Sequence, residues 1–180
     1  MRLRSLENCQ LSIASYPKFN YDASGGGGKG IMNPPNEKGL CKISFNPETF
    51  SIPPLNYKTT KWLGINLPPG IAITIVNEEL KGYIHTPSKE ISLSFRARFR
   101  FSICRYIKAP DLIVETCLNS KEVEINRKKI RGSALQKDGK ITLVGIAFIG
   151  LTGNIFFDTF LSLPNKALAI LNCQVTELEY

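Results

Sequence analysis

From Glu90 to Cys104 the chain alternates without a break. Ile91, Leu93, Phe95, Ala97, Phe99, Phe101 and Ile103 are apolar; Ser92, Ser94, Arg96, Arg98, Arg100 and Ser102 stand between them. Period-two alternation is the mark of a strand with one buried face. It predicts that Phe95, Phe99 and Phe101 are buried and that Arg96, Arg98 and Arg100 lie in another layer. Same-face neighbours are two rises apart, roughly 6.5 Å, so the arginines form a linear positive track.

The same reading places other elements around this strand. Asn8–Ser15 is an expected strand, followed by a turn at Tyr16-Pro17. In F-N-Y-D-A-S-G-G-G-G-K-G-I-M, residues 19–32, apolar residues stand on both sides of the glycines. That favours a bent strand over a linker. Leu40–Phe45 is a strand with Cys41, Ile43 and Phe45 on one side, and Tyr57–Ile65 is a loop or helical turn between two Pro pairs. Ile71–Val76 and Leu80–His85 are two short strands, and H-T-P-S-K-E connects the second to the arginine strand. Tyr106–Pro110 is a loop and Leu112–Leu118 a strand; polar Glu122–Arg127 carries no deciding pattern. Lys129–Gln136 and Lys140–Ile149 flank K-D-G, a hairpin turn with Gly139 at positive φ. Ile141–Ile149 is apolar on both faces and should be covered on both. Ile155, Phe156, Phe160 and Leu163 fall near helical spacing, with Asn154 as cap and Pro164 as stop. Lys166–Leu178 is a last strand that closes the sheet.

About nine strands with short polar turns, one short helix near the C-terminus and no βαβ rhythm give an all-β class. We expect a mostly antiparallel β-barrel or sandwich, formed as one domain over residues 1–180. A long bent strand suits closure, which removes exposed edges.

Composition adds bounds. Hydrophobic residues make up 43% and charged residues 21%, ordinary for a globular chain, and the net charge is +8. A basic balance favours anionic partners without choosing among them. The five cysteines (Cys9, Cys41, Cys104, Cys117, Cys173) form no C-x-x-C pair and read as reduced, buried small hydrophobes on strands. The start M-R-L-R-S-L-E-N lacks the apolar run of a signal peptide, so a cytoplasmic setting is expected. The uncharged window Ile141–Phe157 holds Gly145, Gly150 and Gly153, which reads as strand, turn and short helix better than as a membrane span.

Candidate chemistry is sparse. G-G-G-G-K-G at 25–30 matches a dinucleotide fingerprint formally, but Met32-Asn33-Pro34-Pro35 forbids the helix that would face a pyrophosphate, and Lys29 is not followed by Ser or Thr. His85 is the only histidine and sits beside a turn, so a Ser–His or Cys–His pair would have to use it. Zinc sites need clustered Cys and His. Asp22, Asp111, Glu115 and Asp158 lie in or near apolar segments without the spacing of a paired-carboxylate site. No metal or cofactor is expected, nor any histidine- or thiol-dependent catalysis.

The positive signals are basic: Arg96, Arg98 and Arg100, with Arg105 and Lys108 after them, and the cluster Arg127, Lys128, Lys129 and Arg131. A solvated charged face explains them most simply. Guanidinium forks also match phosphate or carboxylate, which makes Arg96, Arg98 and Arg100 the candidate ligand-binding residues. Stacking aromatics are missing from the arginine face, which argues against single-stranded nucleic acid. If that face pointed into a barrel, the arginines would need carboxylates or a ligand's charge.

L-G-I-N-L-P-P-G at 63–70, the strand F-R-A-R-F-R-F at 95–101 and A-P-D-L-I-V-E-T at 109–116 resemble a family of conserved cyanobacterial and plastid proteins with no established activity. The resemblance implies a cytoplasmic, photosynthesis-linked setting and carries over no functional residue. Two expectations follow. One is a non-enzymatic barrel for a small amphipathic or anionic ligand, lipid- or pigment-like by analogy of fold alone. The other is an interaction module that sets a basic sheet face on an acidic protein, an anionic membrane surface or RNA.

Overall fold

The computed structural model describes residues 1–104 and 107–177, and of Ile107 and Lys108 only the backbone. Near the N-terminus β1 (Arg2–Ser5) pairs with β15 (Asn165–Thr176), register Leu3↔Val175, and this pair closes the sheet on itself. From β1 the order runs through β4 (Gly27–Met32), β5 (Leu40–Phe45), β8 (Ile71–His85) and β9 (Glu90–Ile103). It continues through β11 (Leu112–Asn119) and β14 (Lys140–Ile149) and returns to β15. Every pairing is antiparallel, and the result is a ring of eight strands.

Strand β15 is long because it serves three neighbours. One side pairs with β14 along its length; the other meets β2 (Cys9–Ile13) at Ala167–Ile170 and β1 at Cys173–Thr176. Beyond β2 the sheet continues as β3 (Phe19–Tyr21), β6 (Thr60–Trp62) and β7 (Ile65–Asn66). A two-residue strand, β10 (Ile107–Lys108), pairs with β9, and β12 (Glu122–Ile125) forms a separate hairpin with β13 (Lys128–Arg131).

The all-β, antiparallel expectation holds, as does the single short helix, α1 (Ile155–Phe160). The strand inventory differs. The described residues contain fifteen strands, not about nine. Ile71–His85 is one strand, because a bulge between Asn77 and Glu79 carries the pairing across the polar middle that looked like a break. Tyr57–Ile65 contains β6 and the start of β7. Lys129–Gln136 does not pair with β14 along its length: Lys128–Arg131 folds back on Glu122–Ile125, and only Ser133 bridges to Thr142. The K-D-G turn forms as expected, with Gly139 at φ +82°.

The bent strand expected over residues 19–32 is instead two strands, β3 and β4, joined by a turn at Ser24-Gly25, and the later glycines of the run lie in β4. Gly27 sits at φ +122°, and a Cβ there would lie 2.1 Å from the Leu3 carbonyl oxygen, so only glycine lets β4 approach β1. Leu3, Met32, Cys41, Ile43 and Phe45 bury their side chains inside the ring. Ile91, Leu93, Ile141 and Leu143 do so from β9 and β14, each at 2% exposure or less. Full burial of such a side chain stabilises by about 1.5–3 kcal/mol. Three cysteines follow the expectation of buried small hydrophobes; Cys104 and Cys117 are exposed. Tyr106 and Arg105 lie outside the described residues.

Candidate functional site

On β9 the odd residues from Ile91 to Phe101 face the ring interior and the arginines face outward, so the lumenal arginine arrangement does not occur. The outer face is an ion-pair ladder. Arg96 meets Glu78 at 3.0 Å and Glu115 at 2.8 Å; Arg98 meets Glu78 at 2.7 Å and Asp111 at 3.8 Å; Arg100 meets Asp111 at 3.3 Å. Hydrogen bonds from Arg98 and Arg96 hold the Glu78 carboxyl below its ordinary range. The bulge in β8 supplies this acid: register passes from Asn77↔Ala97 to Glu79↔Arg96, which leaves Glu78 as the extra residue, turned toward the arginines. Three guanidiniums thus face three carboxylates, and the expected positive track is locally neutral. The second basic cluster is partly paired too, since Glu122 meets Lys129 at 3.0 Å and Arg131 at 2.9 Å.

Inside the ring lies a cavity of about 210 Å³. It runs from Leu93 and Leu143 in the middle of the ring to Phe101, Ile149 and Leu161 under α1. Phe95, Phe99 and Phe101 all line it, and they are half-buried where full burial was expected. The empty space has a cause in the sequence. On the inner face Gly145 opposes Ala169 and Ala147 opposes Ala167, so two successive cross-strand pairs project almost nothing. Three polar groups in the lining are bonded to backbone carbonyls: Ser5 Oγ donates to the Ala23 carbonyl at 2.7 Å, Thr116 Oγ1 donates to that of Ile146 at 2.8 Å, and the Tyr21 hydroxyl donates to that of Pro53. Among the described residues no charged side chain reaches the lining. The cavity is therefore matched to hydrocarbon, with nothing inside to hold an anionic group.

One buried polar side chain stands apart. Asn77, inward at the bulge, has neither amide atom hydrogen-bonded among the described residues. Such a group costs about 1–3 kcal/mol unless something satisfies it.

Helix α1 packs on Phe101 through Phe157, and Leu161 just after it lines the cavity. Asn154 Oδ1 accepts from the Phe157 amide at 3.0 Å, the expected cap. Asp158 is buried and ties the helix to the loop before it: Oδ1 accepts from Thr152 N at 2.9 Å and Thr152 Oγ1 at 2.6 Å, and Oδ2 from Gly153 N at 3.2 Å. These bonds, the Thr152 hydroxyl first, hold its carboxyl below the ordinary range. Phe157 packs edge-on against Phe101 at 5.0 Å, and Leu161 is buried. Ile155, Phe156 and Phe160, the residues at helical spacing, point to solvent. Phe148, expected to be covered on β14, is exposed as well.

The single histidine offers no relay. His85 Nδ1 lies 2.6 Å from Ser88 Oγ, and among the described residues no carboxylate meets the other ring nitrogen. Burial pushes the Cys173 thiol up to about 12, away from thiolate chemistry. Among the described residues no three His, Cys, Asp or Glu side chains gather as a metal-binding group, and no helix is long and apolar enough to cross a membrane.

No protein-family model, curated protein or solved structure matches the chain. The small residues that open the cavity escaped the sequence reading. Gly145, Ala147, Ala167 and Ala169 at alternate positions of the last two strands were the signal, visible only once those strands are paired in register.

Proposed function

We propose that the protein is a non-enzymatic binding protein that takes the hydrocarbon part of a lipid-like molecule into the ring. The observation that carries this reading is the apolar cavity of about 210 Å³ opened by the Gly145–Ala169 and Ala147–Ala167 pairs. An apolar space of about 150 Å³ already accepts a ligand the size of benzene, while sites for drug-sized molecules run about 300–1,000 Å³. A short acyl chain or small ring fits between these limits. Each methylene transferred from water contributes about 0.8 kcal/mol. About eight of them give roughly 6 kcal/mol, a dissociation constant no tighter than ~20 μM before the cost of association. A polar head would remain outside the cavity. Arg96, Arg98 and Arg100 are on the outer face and already paired, so they give the ligand no anchor, and the basic-face reading has less support for the same reason.

Native mass spectrometry after mild purification, followed by titration with octanoic acid, tests the proposal. The wild type should retain or take up an apolar ligand. Ala169→Phe, which fills the space from β15, should abolish uptake while the β circular-dichroism signal persists. If Ala169→Phe takes up octanoic acid as well as wild type does, or wild type takes up none, the interior reading fails.

A further inference from the structure

Between Phe148 and Phe160 five large apolar side chains, Phe148, Leu151, Ile155, Phe156 and Phe160, are 64–89% exposed. Single exposed hydrophobes are ordinary on protein surfaces; a contiguous group marks a contact surface. The exposure is built in. Phe157 and Leu161 turn inward, Asp158 and Asn154 tie the helix down, and the Tyr16 hydroxyl donates to the Phe160 carbonyl, so the outward residues cannot roll into the core.

Strand register collects further apolar tips at the same end. Ile13 pairs with Ala167 near the start of β15, Phe19 with Leu11, and Trp62 with Phe19. The β6–β7 turn therefore points the way α1 does, and Leu63 and Ile65 there are exposed.

Charge at this end has one sign. The segments that form it, residues 11–20, 60–73, 99–104, 109–114 and 146–168, contain two acids, Asp111 and Asp158. Asp111 is engaged by Arg98 and Arg100, and Asp158 is turned inward to Thr152 and Gly153. Lys18, Lys61 and Lys166 are exposed, and none of them pairs with a carboxylate among the described residues. Separate aromatic and aliphatic tips ringed by lysines suit the headgroup layer of a bilayer, which admits apolar side chains and attracts cations when its lipids are anionic. The tips stand on different elements. A bilayer closes around each of them, whereas a protein partner would have to be shaped to every one.

We propose that the α1 end of the ring docks on an anionic phospholipid bilayer, with Ile155, Phe156 and Phe160 inserted at headgroup level and Lys18, Lys61 and Lys166 against lipid phosphates. The proposal goes beyond the interior reading and does not require the cavity to be filled.

Sedimentation of the full chain with vesicles tests it, using phosphatidylcholine alone and phosphatidylcholine mixed with phosphatidylglycerol. The protein should bind the anionic vesicles, lose binding as salt rises, and ignore the neutral ones. Trp62, the only tryptophan, lies at the docking end and should shift its emission to the blue on binding. Phe156→Ser combined with Phe160→Ser should weaken binding roughly 10²-fold. Lys18, Lys61 and Lys166 changed together to Gln should weaken it by a similar factor, roughly 10². If the first variant fails to fold, the lysine variant and the Trp62 shift still decide. Ala169→Phe should bind vesicles like wild type, so loss of octanoic acid uptake and loss of vesicle binding report separate failures. Wild-type protein that stays with the supernatant overturns the proposal, as does binding that persists in both variants or leaves Trp62 unshifted. A solution dimer that Phe156→Ser dissociates would overturn it in favour of a second copy as the occupant.

Discussion

The two ends of the ring are made from the same strands and finished in opposite ways. At the far end, the turns after β8 and β11, the β12–β13 hairpin and the turn before β14 carry charges of both signs, several of them in ion pairs. Lys121 meets Glu90 at 3.3 Å, Arg131 meets Glu122 at 2.9 Å and Lys140 meets Asp138 at 3.0 Å. At the α1 end the carboxylates are withdrawn, Lys18, Lys61 and Lys166 meet no carboxylate among the described residues, and phenylalanines face water. A chain that can finish one end with ordinary solvated turns has no packing reason to leave the other apolar. Beneath the ends the interior differs in the same sense. Ile91 and Ile141 fill the ring toward the charged end, and the cavity reaches from Leu93 and Leu143 to Leu161. One end carries stability; the other is shaped for contact.

The largest expected effect breaks the filled half. Leu93→Ala, at 1% exposure, should cost about 2–5 kcal/mol in urea denaturation. Phe156→Ser, at 89% exposure, should leave the midpoint within about 0.5 kcal/mol. Equal losses would show that the α1 end is part of the core.

Asn77→Leu is the next largest, with the opposite sign. Replacing a buried amide that lacks partners by a side chain of similar shape should stabilise by about 1–2 kcal/mol. A loss of stability, read from the same denaturation curves, would mean that the amide is satisfied in solution.

Acid separates the ends by pH. The folded carboxyl of Asp158 lies below its ordinary value of 3.8, so its contribution is fully present above that value and is lost as pH falls through the lower folded one. Amide exchange of Phe157 and Leu161 should therefore accelerate below about pH 4. Asp158→Asn should raise their exchange at neutral pH while Leu93 and Leu143 stay protected. Uniform loss of protection would mean that the helix and the ring open as one unit.

The smallest effect is expected on the arginine ladder. Arg98→Gln removes a half-exposed pair, worth about 0–1 kcal/mol. The same variant should lower retention on heparin by no more than the loss of any single surface charge, such as Lys137→Gln; a larger drop would show that the ladder is open in solution.

Much of this architecture was legible in the chain. Strict alternation in β9 assigned Ile91 to Phe101 to the correct side, though Ile103 at its end is exposed, and the glycine run marked a strand, β4, that needs Gly27 because no other residue fits beside the Leu3 carbonyl. What failed depended on partners. β1 offers only Leu3 between Arg2 and Arg4, too little pattern to mark a strand that closes the ring. The β8 bulge hid a continuous strand behind a polar interruption. The arginines were read as a free track because their acids sit on two other strands, or just before one, up to twenty residues away in sequence. Helical spacing of Ile155, Phe156 and Phe160 gave the helix correctly, but periodicity identifies a face without saying whether protein or something else covers it.

Glu78 carries a consequence for how such a surface could change. It is the one residue by which β8 exceeds its partner, and it bonds both Arg96 and Arg98. Loss of a single codon would restore plain alternation in β8, remove the carboxylate the two guanidiniums share, and turn a neutral flank into an anion-attracting one. The distance between an inert wall and an electrostatic binding surface is, in this protein, one in-frame deletion.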